Sequence, residues 1–383
     1  MRTARVLLCT VGTSLFRPNL EGLDRALADG TIAEDRRGLA EAYRARDWPA
    51  VARHLRAVDP ADRLCGAELN SVASMVRHGH VPADVGLYFF HSATADGRAV
   101  AAVLTDFYRL GGHAPVKAVE VEDLQDEDPK RFRTRGLRHL ARELCRVLRD
   151  HSPAACAVNA TGGYKAQIAV AVLLGQALGV PVFYKHELFA EIISFPPLPV
   201  ALDFEVWVRA SAFLFDLAGG DMIPFATYAD DWDERFESLV ERVAVDGVDY
   251  LELSATGQIF HETFRERFRS ARDRVLPPPV PAGQKKAPVL KSDEGHMLAH
   301  RSEVEGWLRR VTVEVPQVVL CVTTYYNPDL PERTRFRGTR GGVEGVYSNG
   351  TWTVKFRVET SAETEGQRSA VVASLNEWLA STR

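Results

Sequence analysis

Cysteine is scarce in this chain. Cys9, Cys65, Cys145, Cys156 and Cys321 are scattered over 383 residues, odd in number and nowhere spaced as C-x-x-C. That excludes a zinc ribbon or a disulfide framework and suits a reducing compartment. Long apolar runs are missing too. The run Val6–Cys9 behind Arg2 and Arg5 is too short for a signal peptide, and nothing approaches the length of a membrane span. The expectation is a cytoplasmic protein with no membrane partner. An excess of basic charge is also absent: the net charge is −4, so any nucleic-acid site has to be local. Neither common phosphate fingerprint occurs, since there is no G-x-G-x-x-G and no glycine–lysine pair followed by Ser or Thr. What remains, 46% apolar and 26% charged residues, is an ordinary globular composition, and the length asks for two or three domains.

The first 202 residues alternate two patterns. "ARVLLCT", "VGLYFFHS", "PVKAVEV", "ACAVNA", "VPVFYK" and "EIISF" are short, apolar and rich in β-branched or aromatic residues. Between several of them lie helical stretches such as "GRAVAAVLTDFYRLGG" and "PKRFRTRGLRHLARELCRVLRDH". Such alternation predicts an α/β domain, a mostly parallel sheet with helices on both faces, closed by a hairpin of its last two strands. Residues 203–275 read as helices around "WVRASAFLFDLAGG" and "DDWDERFESLVERVAV". A short strand and an amphipathic helix with Ser254 as N-cap follow. This order suggests a winged-helix module, or else a plain helical connector. Residues 276–295 are a proline-rich linker. Residues 296–383 read as a small α+β domain: a helix, the strand "QVVLCVTTYY", an arginine-rich loop, two strands joined by "SNGT", and a final helix.

Ligands of a parallel sheet collect at the carboxyl ends of its strands. Two loops there carry chemistry. Gly12, Thr13 and Ser14 follow the first strand; Asn159, Thr161, Gly162, Gly163 and Lys165 follow a later one. Glycines admit a phosphate to the backbone, N–H groups at a helix start point at it, hydroxyls add donors, and Lys165 adds a full charge. His91, Ser92 and Thr94 end another strand and can line the same crevice. An ordinary glycine turn gives the same pattern.

"TVGTS" after the first strand and "NATGGYK" before a long apolar helix, in that order, resemble the CARF sensor domains of CRISPR-associated ancillary proteins. The resemblance spans about residues 4–200. It implies a Rossmann-like homodimer that binds a cyclic oligoadenylate, cyclic tetra-adenylate being the expected ring, across its two-fold axis. Gly12, Thr13 and Ser14 would touch the ring from one loop, and Thr161, Gly162, Gly163 and Lys165 from the other.

From Arg301 to the end no histidine occurs, and Cys321 is the one thiol. A ribonuclease of the HEPN type needs an arginine and a histidine a few residues apart; Arg133/His139 and Arg146/His151 have that spacing but belong to the first domain, where a solvated helix face is expected. No acidic constellation for a magnesium nuclease is apparent either, so no metal is assigned. Instead "RTRFRGTR" places Arg333, Arg335, Arg337 and Arg340 within eight residues, and Lys355 and Arg357 alternate with Val354, Phe356 and Val358. Period-two alternation turns the basic pair to one face, with Tyr325, Tyr326 and Tyr347 nearby. This suits RNA backbone and unstacked bases, though a solvated cationic hairpin reads alike. Layout and residue types resemble the RelE superfamily of mRNA interferases. That resemblance implies metal-independent cleavage of mRNA on the ribosome by 2′-OH attack, with no cofactor. Arg335, Arg337, Arg340, Lys355 and Arg357 would contact phosphate, and Tyr326 would assist. A tyrosine after the last strand, common in such toxins, is lacking, so the proton-transfer group is open. The middle module would then recruit a ribosomal protein or mediate dimerisation. Two other readings fit: a ring nuclease that degrades the messenger through Ser14 and Lys165, and a ligand-responsive transcription regulator using the winged helix.

Overall fold

A computed structural model describes residues 4–125, 127–186, 189, 191–198, 202–229, 232–291, 300–339 and 341–382. Contacts divide the chain into two units: residues 1–202 with 254–259, and residues 203–253 with 260–383.

The first unit is built on strands β1 (Val6–Thr10), β2 (Gly86–Ser92), β3 (Val116–Val121), β4 (Cys156–Asn159), β5 (Val182–Tyr184) and β6 (Ile193–Phe195), in the order β3-β2-β1-β4-β5-β6. All neighbours run parallel except β5 and β6, which pair antiparallel as the two short closing runs predict. Period two sends alternate residues to opposite faces. Leu7, Cys9, Leu87 and Phe89 meet one core; Val6, Leu8, Tyr88 and Phe90 meet the other. Burial on both faces is why these strands read as continuous apolar runs.

Helices α1 (Glu21–Ala28), α2 (Glu34–Arg44), α3 (Trp48–Leu55) and α4 (Gly66–Arg77) fill the long stretch between β1 and β2. α3, α4 and α5 (Ala95–Leu110) contribute Val51, Leu69 and Leu104 to the first core. After a short turn α6 (Pro129–Arg131), α7 (Leu137–His151) and α8 (Lys165–Leu178) cover the other face through Leu140, Leu144 and Leu174. α7 does not leave its histidines in solvent. His139 is buried with Nδ1 3.1 Å from the carbonyl of Glu122, and His151 Nε2 lies 2.6 Å from the Tyr88 hydroxyl. The amphipathic spacing of this helix places both rings toward the sheet, which corrects the expectation of a solvated face.

The second unit begins with α9 (Phe204–Ala218), β7 (Ile223–Pro224), β8 (Val240–Val245) and β9 (Val248–Leu253). The helix expected over "DDWDERFESLVERVAV" is, where described, a 3-10 turn, Glu234–Leu239, followed by β8. The reason is the Asp246–Gly247 turn. Both residues have positive φ, 51° and 79°, the backbone a two-residue hairpin requires, and they fold β8 antiparallel onto β9. β7 adds to the outer side of β9. α10 (Ala255–Val275) follows, with the Ser254 hydroxyl accepting the Gly257 N–H at 3.0 Å, the anticipated cap.

Residues 276–291 are not a free tether. Val280 N–H donates to the Pro316 carbonyl, and Val289 pairs in parallel with Val322. Leu276 and Leu290 pack on the core of the domain that follows. That domain holds α11 (Arg301–Glu314), β10 (Val318–Asn327), β11 (Arg335–Thr339), β12 (Gly342–Ser348), β13 (Thr353–Thr360) and α12 (Glu365–Thr382). Its sheet is antiparallel, in the order β10-β13-β12-β11. The stretch expected as an arginine-rich loop is therefore largely strand β11: Phe336 alternates with Arg335 and Arg337 and fills the core. Arg340 lies outside the described residues. α9 joins the domain through Asn376 on α12, whose amide bonds both backbone groups of Phe336 at 3.0 Å and reaches Ser211. Among the described residues no helix is long and apolar enough to cross a membrane.

Candidate functional site

In the first unit the strand order reverses direction at β1 and β4, and a crevice opens where two neighbouring strands send their connections to opposite sides. The two loops singled out above leave the sheet at that point. They meet. The Thr10 hydroxyl donates to the Gly162 carbonyl at 2.5 Å, and a Cβ on Gly12 would stand 2.6 Å from the Gly163 nitrogen. Glycine at position 12 is thus required by the other loop's backbone.

A residue not anticipated from the sequence holds the first loop and closely abuts the second. Glu68, on α4, is 1% exposed, and its Oε1 accepts the Gly12 N–H at 2.7 Å. The same oxygen would lie 2.1 Å from a Cβ on Gly162. Burial raises the Glu68 carboxyl above its ordinary value, against the pull of the Gly12 N–H and the Ser14 hydroxyl. Its Oε2 has no partner among the described residues. No local motif marks Glu68, because α4 reaches the loops only through the tertiary fold.

The hydroxyls are already engaged. Ser14 bonds Glu68 and accepts the Ala67 N–H at 2.9 Å. Thr161 donates to Asn159 Oδ1 at 2.6 Å and accepts the Lys185 N–H at 3.0 Å. Asn159 is itself buried and bonds Ser71 at 2.7 Å. In this arrangement the Thr161 proton is spent within its own loop, and the Ser14 hydroxyl oxygen is tied to the start of α4. Thr13 and Lys165 are exposed, and Lys165 opens α8 with no partner among the described residues. A cavity of about 510 Å³ adjoins the loops, with Ser14 and Thr161 in its lining.

The third predicted loop ends β2, the other neighbour of β1. His91 is buried with Nδ1 3.0 Å from the Ser92 carbonyl, and burial lowers its pKa. Thr94 caps α5 through the Gly97 N–H and bonds Ser92 at 2.8 Å. These three residues do not line the cavity. Their roles are local.

In the second unit, sheet register brings the basic residues together. β13 turns Lys355 and Arg357 to one face and Val354, Phe356 and Val358 to the core, as their alternation predicts. Across that face Arg337 opposes Glu344, and Glu344 opposes Arg357; Arg335 opposes Val346, and Val346 opposes Lys355. Every one of the four cations carries a carboxylate. Glu332 lies 2.8 Å from Lys355 and 3.5 Å from Arg335, Glu344 lies 2.7 Å from Arg337, and Glu359 lies 2.7 Å from Arg357. Arg335 is buried, its Nε without a partner, in the wall of a cavity of about 650 Å³ that Arg337 and Tyr228 also line.

Tyr326 is not brought to this face. It opposes Val354, packs on Trp352 with ring centroids 6.0 Å apart, and belongs to the core side. Burial and Asp329 raise its pKa. Tyr325, one residue earlier, opposes Lys355, is exposed, and has Lys355 Nζ 5.7 Å from its ring. A shift of one position along a strand exchanges faces, so the basic face presents Tyr325.

Residues 63–198 match the family model described as CRISPR-associated protein (Cas_APE2256). The matched stretch runs from the 3-10 turn before α4 to just past β6, all within the first unit, and includes the loop Asn159–Lys165 but not β1 or the loop after it. In that stretch the chain is similar to a CRISPR-associated family. No curated protein matches the chain.

Proposed function

We propose that the first unit is a receptor for a cyclic oligoadenylate, cyclic tetra-adenylate being the expected ring, and that the second unit is the ribonuclease it controls. The observation that carries the reading is the meeting of the two glycine loops at the switch point of the parallel sheet, the second of them within the segment similar to a CRISPR-associated family. Backbone N–H groups at the start of α8, together with the exposed Lys165, would serve as donors for phosphodiester oxygens. An even-numbered ring has two-fold symmetry, so two copies of the chain would share one ring.

For the output, Lys355, Arg357 and Arg337 on one face of the sheet, with Tyr325 in place of Tyr326, would supply cations for a scissile phosphate and a ring for an unstacked base. RNA then supplies its own nucleophile: the 2′-OH attacks the adjacent phosphorus and the 5′-oxygen leaves. The cations stabilise the crowded dianionic transition state. Glu332, Glu344 and Glu359 hold these cations in the free protein, and the phosphate has to take their place.

The test is a cell-free translation reaction with a defined mRNA, with and without cyclic tetra-adenylate, mapped by primer extension beside the same RNA without ribosomes. Ring-dependent cuts in register with codons, absent on naked RNA, are the expected result. Equal cutting of naked RNA keeps the receptor but removes the ribosome from the reading. Consumption of the ring with intact mRNA makes the first unit a ring nuclease instead.

A further inference from the structure

The middle module, α9 and the turns and strands after it, helps to enclose the cavity of about 650 Å³ in the second unit. One wall is β11, with Arg335 and Arg337. The facing wall is α9 and the turns that follow it, with Arg209, Phe213, Tyr228 and Trp232. Among the described residues no carboxylate lines the cavity. Two of its arginines find their counter-charges outside the lining: Asp233 lies 3.0 Å from Arg209, and Glu344 lies 2.7 Å from Arg337. Arg335 is the exception. It is 7% exposed, and its Nε has no partner among the described residues. Its outer nitrogens reach only the Arg333 carbonyl at 3.4 Å and Glu332 at 3.5 Å, while Glu332 itself sits closer to Lys355, at 2.8 Å. The Tyr228 ring, 5.7 Å from the Arg335 guanidinium, is a weak substitute for a counter-charge. A guanidinium taken out of water needs close, charged acceptors for its five protons. An anion in the cavity would supply them.

Cations beside an aromatic wall suit a nucleotide of a single strand, its phosphate on the arginines and its base against the rings. One residue joins this cavity to the basic sheet face. Arg337 lines the cavity and also opposes Glu344, which opposes Arg357 on the next strand. An RNA strand laid across Lys355, Arg357 and Arg337 therefore arrives at the rim of the cavity. We propose that the cavity seats the next nucleotide of that strand, with Arg335 and Arg209 meeting its phosphate and Tyr228 and Trp232 its base. In that role the middle module is one wall of the RNA site, and the small α+β domain alone holds only the other. The identity of the anion rests on the ribonuclease reading; the poorly satisfied Arg335 does not.

The experiment uses the full chain with cyclic tetra-adenylate present. The probe is a labelled 2′-O-methyl oligouridylate, which has no 2′-OH to attack and so stays whole, and binding is read by fluorescence anisotropy at several salt concentrations. Arg209 and Arg235 form a matched pair. Their side chains are 48% and 49% exposed and both pair with Asp233, at 3.0 and 2.9 Å, but only Arg209 lines the cavity. Arg209→Ala is expected to weaken binding about 5-fold. It should also make the slope of log Kd against log salt shallower by about 0.7, one single-strand phosphate contact. Arg235→Ala should stay within about 2-fold of wild type, the effect of an exposed charge. Thermal melts of each variant report intact folding. Equal effects of the two substitutions overturn the cavity proposal; if Lys355→Ala still loses binding, the sheet-face reading stands without it. Loss in Arg209→Ala with wild-type binding in Lys355→Ala supports the cavity and overturns the sheet-face reading. Inorganic phosphate that raises the melting temperature of wild type but not of Arg335→Gln, with RNA binding unmoved in Arg209→Ala, makes this a small-anion site and overturns the RNA assignment. No binding of the probe to wild type overturns both.

Discussion

Glu68 and Gly162 hold each other in place, and each makes a separate claim. A methyl group on Gly162 would come within 2.1 Å of the Glu68 carboxylate and 2.6 Å of the Thr10 carbonyl, which belongs to a central strand and has little room to yield. Gly162→Ala should therefore destabilise the chain by about 1–3 kcal/mol, the range for overpacking. It should also part the loops and abolish ring binding, which melting followed by calorimetry on the same sample would show. The Glu68 prediction concerns pH. Its folded value is raised from 4.5, so the folded state favours the protonated carboxyl. Stability linked to that proton is complete below 4.5 and is lost as pH climbs through the raised folded value. Glu68→Gln carries no such loss. Thermal melts from pH 4 upward should show the variant gaining on wild type as pH rises; parallel curves would mean the carboxyl ionises freely where it lies.

The elements differ in how plainly the sequence announced them. β1, β2 and β4 were legible because strands buried on both faces are short and uniformly apolar, and the glycine loops because small residues and hydroxyls follow them directly. β8 was not. Phe236, Leu239, Val240 and Val243 recur at helical spacing, yet Asp246–Gly247 fixes a hairpin, and the turn prevails over the period. Glu68 could not be found, since nothing local says that α4 returns to the strand ends. The proline-rich stretch reads as a linker by composition, but Lys285 gives it a structural duty. Its Nζ donates to the carbonyls of Thr312, Val313 and Val315 at and just beyond the carboxyl end of α11, where helix carbonyls lack partners within the helix. Lys285→Ala should cost about 1–2 kcal/mol in chemical denaturation, and Lys285→Gln less. On the basic sheet face, Glu344 sits between Arg337 and Arg357. Removing that carboxylate with Glu344→Gln is expected to tighten binding of single-stranded RNA about 5-fold at low salt, by fluorescence anisotropy. Weaker binding would place RNA elsewhere.

For the molecule as a whole, ring symmetry makes a stoichiometric demand. Calorimetry should give one ring for two chains, and sedimentation should show a dimer whether or not the ring is present. One ring per chain would break the two-fold argument. The net charge of −4 adds that RNA binding has to depend steeply on salt and on a few side chains, since the surface at large repels a polyanion. The strap of residues 276–291 bears on how such experiments are built. It supplies the outer neighbour of β10, through Val289 against Val322 and Lys286 against Val319. The composition of the chain invites a cut at residue 296, after the prolines. A fragment begun there would leave a ten-residue strand with one row of amides and carbonyls bare, the condition under which sheets recruit strands from other chains. Self-association of such a fragment would then be a consequence of where the chain was divided, and one begun at residue 276 would keep its own strand in that place.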